Sequence, residues 1–339
     1  MAVLMIRPLS RARSNRASWL LALLCGWLPA GKLAAGPADQ PTVVLVVGAP
    51  GEEDYGQSFA EWAGVWKQTA ALGGATVIEV GLQTNAAAAD RVLLEKALAA
   101  EPKEGSAELW LVLIGHGTFD GKEAKFNLRG PDISASEMAK WLLPFKRPLA
   151  VLNTASSSGP FISLLSGERR VVLTATKSGH EQNYARFGRY FSEAIGSSEA
   201  DLDKDGQTSL LEAYLFASRR TAEFYTGEGR LATEHGLLDD NGDGLGTPAA
   251  WFRGVRAVKK AKEGAALDGL RAHQFHLVRG EADSRMTPEQ RARRDELEVS
   301  ISKLRETKSE LGEEEYYGRL ETLLLEMAEL YDKGSPSTK

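Results

Sequence analysis

The chain has 339 residues, and its hydrophobic (43%) and charged (26%) fractions are those of a globular protein rather than a disordered or fibrous one. This length accommodates one full α/β domain with an appendage. The 46 acidic residues outnumber the 41 basic ones, which argues against a nucleic-acid partner.

The first 36 residues have the pattern of a secretory signal peptide. Arginines precede a short apolar stretch at 19–28, and Ala34 and Gly36 suggest a cleavage site. The stretch is too short for a comfortable membrane span, so we expect none after cleavage; an uncleaved anchor is the alternative. This segment holds five basic residues and the only cysteine, Cys25, and its removal leaves a net charge near −10. We therefore expect a secreted or periplasmic protein without disulfides, thiolate metal sites or a cysteine nucleophile.

Strands alternate with helices through most of the remaining chain. The expected strands are short apolar runs, and the expected helices carry apolar residues three and four positions apart. In chain order we predict strands at 41–47, 75–80, 109–114, 149–154 and 170–175, and helices at 55–72, 86–100, 134–143, 161–165, 184–195 and 210–225. This alternation predicts an α/β fold with a doubly wound, mainly parallel sheet.

Two of these strands end in residues that can carry chemistry. The strand at 109–114 runs into Gly115-His116-Gly117, and the strand at 149–154 runs into the segment 155–159, here called the serine turn, with the sequence Ala-Ser-Ser-Ser-Gly. Open α/β sheets bind ligands at the carboxyl ends of their strands. What these two strand ends carry therefore decides the functional interpretation.

A buried strand ending in His-Gly, followed by a buried strand ending in a short turn, resembles the caspase-like peptidases, with the legumain-like branch as the nearest comparison. The resemblance covers about residues 42–250. It implies that His116 would assist a cysteine nucleophile and that the Gly117 amide would help to form an oxyanion hole. When residues 153–157 are matched to the second family motif, Ala155 falls at the position of the nucleophile.

An alanine at that position excludes thiol chemistry, because covalent catalysis needs a nucleophilic side chain with a base in reach. Ser156 or Ser157 could replace it, with His116 as the base, if a backbone carbonyl or Asp120 orients the imidazole. In the alternative, the serines form a polar turn that caps the next helix and His116 is structural. Gly117 and the turn amides could still bind a carbonyl or an anion without cleaving anything.

The most specific motif lies at 201–212, here called the first acidic loop, with the sequence DLDKDGQTSLLE. It matches the EF-hand loop, in which alternating side-chain oxygens, one backbone carbonyl and a final bidentate glutamate bind Ca²⁺. The expected calcium ligands are Asp201, Asp203, Asp205, the Gln207 carbonyl, Ser209 and Glu212. Gly206 allows the sharp turn, and helices are predicted on both sides.

A partial copy follows at 239–247, here called the second acidic loop. Its expected ligands are Asp239, Asn241, Asp243 and the Leu245 carbonyl. Ala250 stands where the bidentate glutamate should be, so a bound Ca²⁺ would need a remote carboxylate. Because calcium is plentiful outside cells, we expect filled sites that act as structural clips rather than sensors.

The remaining histidines indicate no zinc site by sequence spacing. His273 and His276 lie three positions apart in a connecting region at 251–285, but no third ligand is evident beside them.

The sequence pattern of the C-terminal part of the chain predicts a helical hairpin at 286–333. Two amphipathic segments flank Gly312, and a disordered tail is expected at 334–339. The hairpin could bind a protein or peptide partner, join two copies of the chain, or simply pack on the main domain.

These patterns together predict an exported, calcium-binding protein of caspase-like fold. We expect it to work as a binding or scaffolding module without peptidase activity, with a protein or peptide as its partner. The alternative is a peptidase-like hydrolase that uses Ser156 or Ser157 with His116.

Overall fold

The structure is a computed structural model that describes residues 40–83 and 88–334. The predicted signal peptide at 1–36 and residues 335–339 of the predicted tail lie outside these ranges. Gly334, which the sequence pattern assigns to the tail, is instead the last residue of a helix. Within the described ranges, no helix combines the length and the apolar character needed to cross a membrane.

The strands of the described residues are β1 (Thr42–Val47), β2 (Thr76–Val80), β3 (Leu109–Ile114), β4 (Gly117–Phe119), β5 (Ala124–Phe126), β6 (Ile133–Ser134), β7 (Leu149–Asn153), β8 (Arg170–Thr174), β9 (Leu237–Asp239), β10 (Thr247–Pro248), β11 (Phe252–Arg253) and β12 (Arg256–Ala257). The α-helices are α1 (Glu53–Leu72), α2 (Asp90–Ala100), α3 (Ala135–Leu142), α4 (Phe161–Leu165), α5 (Phe187–Ala194), α6 (Leu210–Gly227), α7 (Leu270–Gln274), α8 (Glu281–Arg285), α9 (Pro288–Glu306) and α10 (Glu313–Gly334).

The central sheet has the strand order β10-β9-β8-β7-β3-β1-β2. The five strands from β8 to β2 in this order are parallel, and β9 and β10 run antiparallel at one edge. The predicted α/β fold with a mainly parallel sheet is thus confirmed. The antiparallel edge was not predicted, because strands of three and two residues are too short to show an apolar pattern.

Side chains of the parallel strands alternate between two apolar clusters, one on each face of the sheet. In β3, Trp110 and Val112 pack in the cluster that includes α1, α5 and α6, whereas Leu111 and Leu113 pack in the cluster that includes α2, α3 and α4. All four side chains are fully buried, as expected for a parallel sheet covered by helices on both faces. In β3 and β7 the even-numbered residues therefore face α1.

Two helices begin later than the sequence pattern predicts. α2 begins at Asp90 rather than 86, and residues 84–87 lie outside the described ranges. α5 begins at Phe187 rather than 184, because the Glu234 carboxylate accepts the Arg186 and Phe187 N–H groups at 2.9 Å each. A carboxylate from a distant segment thus satisfies N–H groups that a helix start leaves without partners.

The segment after β3 is also more regular than expected. It forms a small antiparallel sheet in the order β4-β5-β6, next to the His-Gly strand end. The connecting region contains the β11-β12 hairpin and the short helices α7 and α8.

At the C-terminal end, α9 and α10 pack against each other. α9 begins with a capping box between Thr287 and Gln290, and Leu297 and Leu304 on its apolar stripe are buried. In α10, Leu324 and Leu325 are about half exposed.

Candidate functional site

His116 lies just after β3, at the carboxyl edge of the sheet. Its Nε2 is 3.1 Å from the carbonyl oxygen of Pro50, which follows the neighbouring strand β1. Because a carbonyl can only accept, Nε2 carries the proton and Nδ1 is the free acceptor. Asp120, the other expected partner, accepts the backbone N–H groups of Lys122 and Glu123 instead.

Aromatic rings surround the imidazole of His116. The ring centroids of Tyr55 and Phe59 on α1 lie 4.9 and 5.1 Å from that of His116, and the centroid of Tyr184 lies 6.1 Å away. This burial lowers the pKa of His116, because an apolar surrounding disfavours the charged imidazolium. The lowered pKa favours the neutral ring at pH 7.

The serine turn does not present its residues as the sequence match implies. Ala155 is fully buried in the apolar cluster that includes Phe161 and Leu165, on the face of the sheet away from α1. The hydroxyl facing the His-Gly turn belongs to Ser156: its Oγ accepts from Gly117 N at 3.2 Å and donates to Gly117 O at 3.1 Å. The expectation that Ala155 stands at the nucleophile position is corrected accordingly.

The Gly117 amide is thus paired inside the protein. In the family resemblance this N–H would help to form an oxyanion hole, but here it points at the Ser156 hydroxyl. The two segments approach so closely that a Cβ added at Gly117 would lie 2.2 Å from the Ser156 carbonyl oxygen, which explains the glycine. An oxyanion could reach this donor only if Ser156 moved.

The other two serines of the turn are closed off as well. Ser158 Oγ lies 3.1 Å from Thr176 Oγ1, and the Ser157 N–H donates to the Glu181 carbonyl at 2.8 Å. Ser157 has a φ of +55° and its buried Oγ has no hydrogen-bond partner. The three serines are 3% exposed or less. None caps α4 through its side chain, but the Ser158 carbonyl accepts the N–H of Phe161, the first residue of α4, at 2.9 Å.

The first acidic loop brings side-chain oxygens close together. Asp201 accepts the Lys204 and Gly206 N–H groups at 2.7 and 3.2 Å, and Gly206 has the positive φ of +91° that the turn needs. The carboxylates of Asp201, Asp203 and Asp205 each place an oxygen within 4.8 Å of the others. Such a set of hard oxygen donors fits Ca²⁺.

The remaining side-chain ligands expected for this loop, Ser209 and Glu212, lie at the start of α6. They form a capping box in which Glu212 accepts the Ser209 N–H at 2.8 Å and also the Leu202 N–H at 2.7 Å. The pKa of Asp205 is raised, first by burial and then by the nearby charges of Asp203 and Glu212. A cation among these groups would relieve that repulsion.

The second acidic loop is held by hydrogen bonds within the protein. Asp239 accepts the Gly242 and Gly244 N–H groups at 2.9 and 2.7 Å, and the Ser166 hydroxyl at 2.6 Å. Asn241 Oδ1 accepts the Asp243 N–H at 2.8 Å. The turn found in the first loop is therefore repeated, but Asp239 is only 1% exposed.

A remote carboxylate does enter the second loop, and it belongs to Asp268. It accepts the Asp240 and Asn241 N–H groups at 3.0 and 3.2 Å and the Thr247 hydroxyl. Burial, followed by the charge of Asp240, raises the pKa of Asp268 to about 8. Asp268 is thus bound to the loop backbone and to the Thr247 hydroxyl.

Comparisons with known proteins give fold similarity alone. No protein-family model matches this sequence, and neither does any curated protein. The Drosophila initiator caspase Dronc is similar over 60% of this chain and 81% of its own, with 14% identity and a TM-score of 0.41. Caspase-1 from Spodoptera frugiperda is similar over 60% and 86%, with 7% identity and a TM-score of 0.37.

A third solved structure, protein GSU0716 from Geobacter sulfurreducens, is similar over 53% of this chain and 89% of its own, with 13% identity and a TM-score of 0.35.

One site residue could have been placed correctly from sequence. Side chains alternate along a strand, so the even-numbered residues after β3 and β7 continue onto the same face of the sheet. His116 and Ser156 are both even-numbered, whereas Ala155 is odd. In contrast, no local signal links Pro50, Tyr184 or Asp268 to the sites they complete.

Proposed function

We propose that this protein is an exported, calcium-binding member of the caspase-like fold that works as a non-catalytic binding or scaffolding module. One observation carries the non-catalytic part: the Gly117 amide and the Ser156 hydroxyl are buried and bond to each other. Serine catalysis needs an accessible hydroxyl, an aligned base and free oxyanion donors. In the serine turn the Ser156 hydroxyl is buried and the Gly117 N–H already has a partner, so the accessible hydroxyl and the free oxyanion donor are both missing.

The caspase-like relationship is supported by the sheet. The parallel strands have the order β8-β7-β3-β1-β2, and the two strand ends of the resemblance, after β3 and β7, are neighbours in it. His116 and the serine turn are therefore adjacent at the carboxyl edge.

Calcium binding is supported by the donor set of the first acidic loop. When bound, Ca²⁺ would neutralise carboxylates that otherwise repel each other. The residues that would hold it are Asp201, Asp203, Asp205, Gln207, Ser209 and Glu212. Because α5 ends and α6 begins on either side of this loop, the ion would fix the connection between two core helices.

Export and partner binding are supported by other parts of the chain. The residues before 37 carry the signal-peptide pattern, and the chain after them has no cysteine to be oxidised outside the cell. On α10, Tyr317, Leu324 and Leu325 are exposed, which suits a protein or peptide partner or a second copy of the chain.

A fluorophosphonate probe tests the non-catalytic proposal, because it labels serines that a base activates. The purified exported chain should show no labelling above that of the His116→Ala variant, and an active serine hydrolase in the same assay serves as the positive control. Labelling that disappears in His116→Ala would contradict the proposal and establish a hydrolase.

The hydrolase alternative has one observation in its favour. Ser157 holds a left-handed backbone conformation and a hydroxyl without a partner, and strain of this kind occurs at nucleophile turns. If the turn opens in solution, labelling should be lost in Ser157→Ala and kept in Ser158→Ala. Equal labelling of both variants would remove Ser157 from consideration.

A further inference from the structure

A histidine from the connecting region reaches the first acidic loop. His273 Nε2 lies 3.0 Å from Asp203 Oδ2, although the two residues are 70 positions apart in the chain. One ligand atom each from Asp203, Glu212 and His273 lie within 4.8 Å of one another. The structure thus supplies the further ligands that sequence spacing does not show beside His273, and they come from the loop rather than from His276.

The position of His273 is fixed by contacts outside this group. It lies on α7, whose first turn is held by the Asp240 carboxylate through the Gly269 and Ala272 N–H groups, at 2.8 Å each. The next residues are tied to α6 by a bond from Leu210 N to Phe275 O at 2.8 Å. Because two separate anchors hold this segment, the imidazole is preorganised against the loop.

His276, by contrast, does not take part. It is 6% exposed, and its Nδ1 faces the carbonyl oxygen of Gln274 at 3.2 Å. The side chains of His273 and Asp203 are 25% and 32% exposed, so solvent reaches this pair.

The donor types favour a transition metal at this group. Ca²⁺ takes oxygen ligands, whereas imidazole nitrogen suits Zn²⁺, Co²⁺ and similar ions. When each bond is about 2.1 Å, neighbouring ligands lie about 3 Å apart at a 90° angle and about 3.4 Å apart in a tetrahedral site. His273 Nε2 and Asp203 Oδ2 lie 3.0 Å apart, within about 0.4 Å of both values. One Glu212 oxygen accepts the Leu202 and Asp203 N–H groups, and the other accepts the N–H and the hydroxyl of Ser209. A bound metal would replace at least one of these hydrogen bonds.

We propose that Asp203, Glu212 and His273 bind a divalent transition metal such as Zn²⁺, with water completing its coordination. Nε2 binds the ion through its lone pair, so the imidazole carries its proton on Nδ1. Asp203 and Glu212 also belong to the calcium set, so the two ions compete for this loop. The competition rests on the proposed calcium function, whereas the Asp203–Glu212–His273 group does not.

Two variants separate the sites. His273→Gln removes the nitrogen donor alone, and Asp201→Asn alters a calcium ligand outside the transition-metal group. His180→Gln, at an exposed histidine beside Phe119, controls for histidine loss in general. Each full-length exported chain is freed of metal with chelator, dialysed, and titrated with ZnCl₂ and separately with CaCl₂ by isothermal calorimetry.

His273→Gln should weaken Zn²⁺ binding by at least about tenfold and leave Ca²⁺ affinity within about twofold. Asp201→Asn should do the reverse, and His180→Gln should match wild type for both ions. With Co²⁺ as a spectroscopic substitute, the visible absorption band of the wild type should shift in His273→Gln, because a nitrogen ligand is lost.

Equal Zn²⁺ affinity of wild type and His273→Gln would overturn the inference. So would a His273→Gln variant that loses Ca²⁺ affinity instead, because His273 would then only orient the calcium ligand Asp203. If wild type binds Zn²⁺ through His273 but shows no calcium heat, the calcium proposal fails and this one stands.

Discussion

The carboxyl edge of the sheet and the first acidic loop both carry residues of the types found in functional sites. They differ in how far their polar groups are exposed to solvent. At the sheet edge, the Ser156 hydroxyl, the Gly117 amide and the His116 Nε2–H have partners inside the protein. In the loop, the carboxylates of Asp203 and Asp205 also accept hydrogen bonds, but both residues are exposed and place oxygens within 4.8 Å of each other. A cation can therefore reach the loop carboxylates, whereas the polar atoms of Ser156 and Gly117 are buried.

The second acidic loop lies between these extremes. It repeats the turn of the first loop, but Asp268 and Ser166 supply hydrogen bonds from the rest of the protein. We therefore expect the first loop to depend on an ion more than the second does.

The largest expected effect tests how accessible position 156 in the serine turn is to a reagent in solution. The chain after the predicted signal peptide has no cysteine, so Ser156→Cys and Ser163→Cys each introduce a single thiol. Ser163 is exposed on α4, whereas Ser156 is 3% exposed. Alkylation by iodoacetamide, followed by mass spectrometry, should be at least about 100-fold slower for Ser156→Cys, because the reagent must reach the thiolate. Comparable rates would mean that the serine turn opens readily.

Calcium removal tests the open loop. If one site is filled at 100 times its Kd, Ca²⁺ stabilises the folded state by about 2.7 kcal/mol, which raises the melting temperature by several degrees. Scanning calorimetry with Ca²⁺ and with chelator should show this shift in wild type. The double variant Asp201→Ala with Glu212→Gln should show none, while Glu199→Gln, an exposed acid outside the loop, should behave as wild type. A wild-type melting temperature that is the same with Ca²⁺ and with chelator would contradict the calcium proposal.

Asp268 tests whether the second loop is held by protein rather than by an ion. Asp268→Ala leaves two backbone N–H groups and the Thr247 hydroxyl without their acceptor, which should cost about 1–3 kcal/mol of unfolding free energy. Asp268→Asn keeps an acceptor oxygen and should recover most of the loss. Urea denaturation in the presence of chelator measures both, and equal stability of Asp268→Ala and wild type would count against this account.

The smallest effect concerns pH and His116. Burial lowers the pKa of His116 below its ordinary value of 6.5, so on acidification the unfolded chain binds a proton that the folded state resists. The stability that neutral His116 contributes is complete above pH 6.5 and is lost as the pH falls below it. Between about pH 7 and about pH 5, His116→Gln should therefore lose less stability than wild type, as urea denaturation at each pH would show. Parallel losses in both proteins would mean that the imidazole is solvated.

The sequence by itself determined the features that short stretches encode. Apolar runs predicted the parallel strands, and alternating acidic residues with a glycine predicted the first acidic loop. These features can be predicted from the sequence because each of them depends on residues that are only a few positions apart.

Only the tertiary structure decided which groups meet. It brought Asp268 to the Asp240 N–H, 28 positions earlier in the chain, and placed His273 against Asp203, 70 positions earlier. Such pairings depend on how the sheet, the helices and the connecting region pack against one another. The same packing decided that the sheet edge is closed and that the first acidic loop is open.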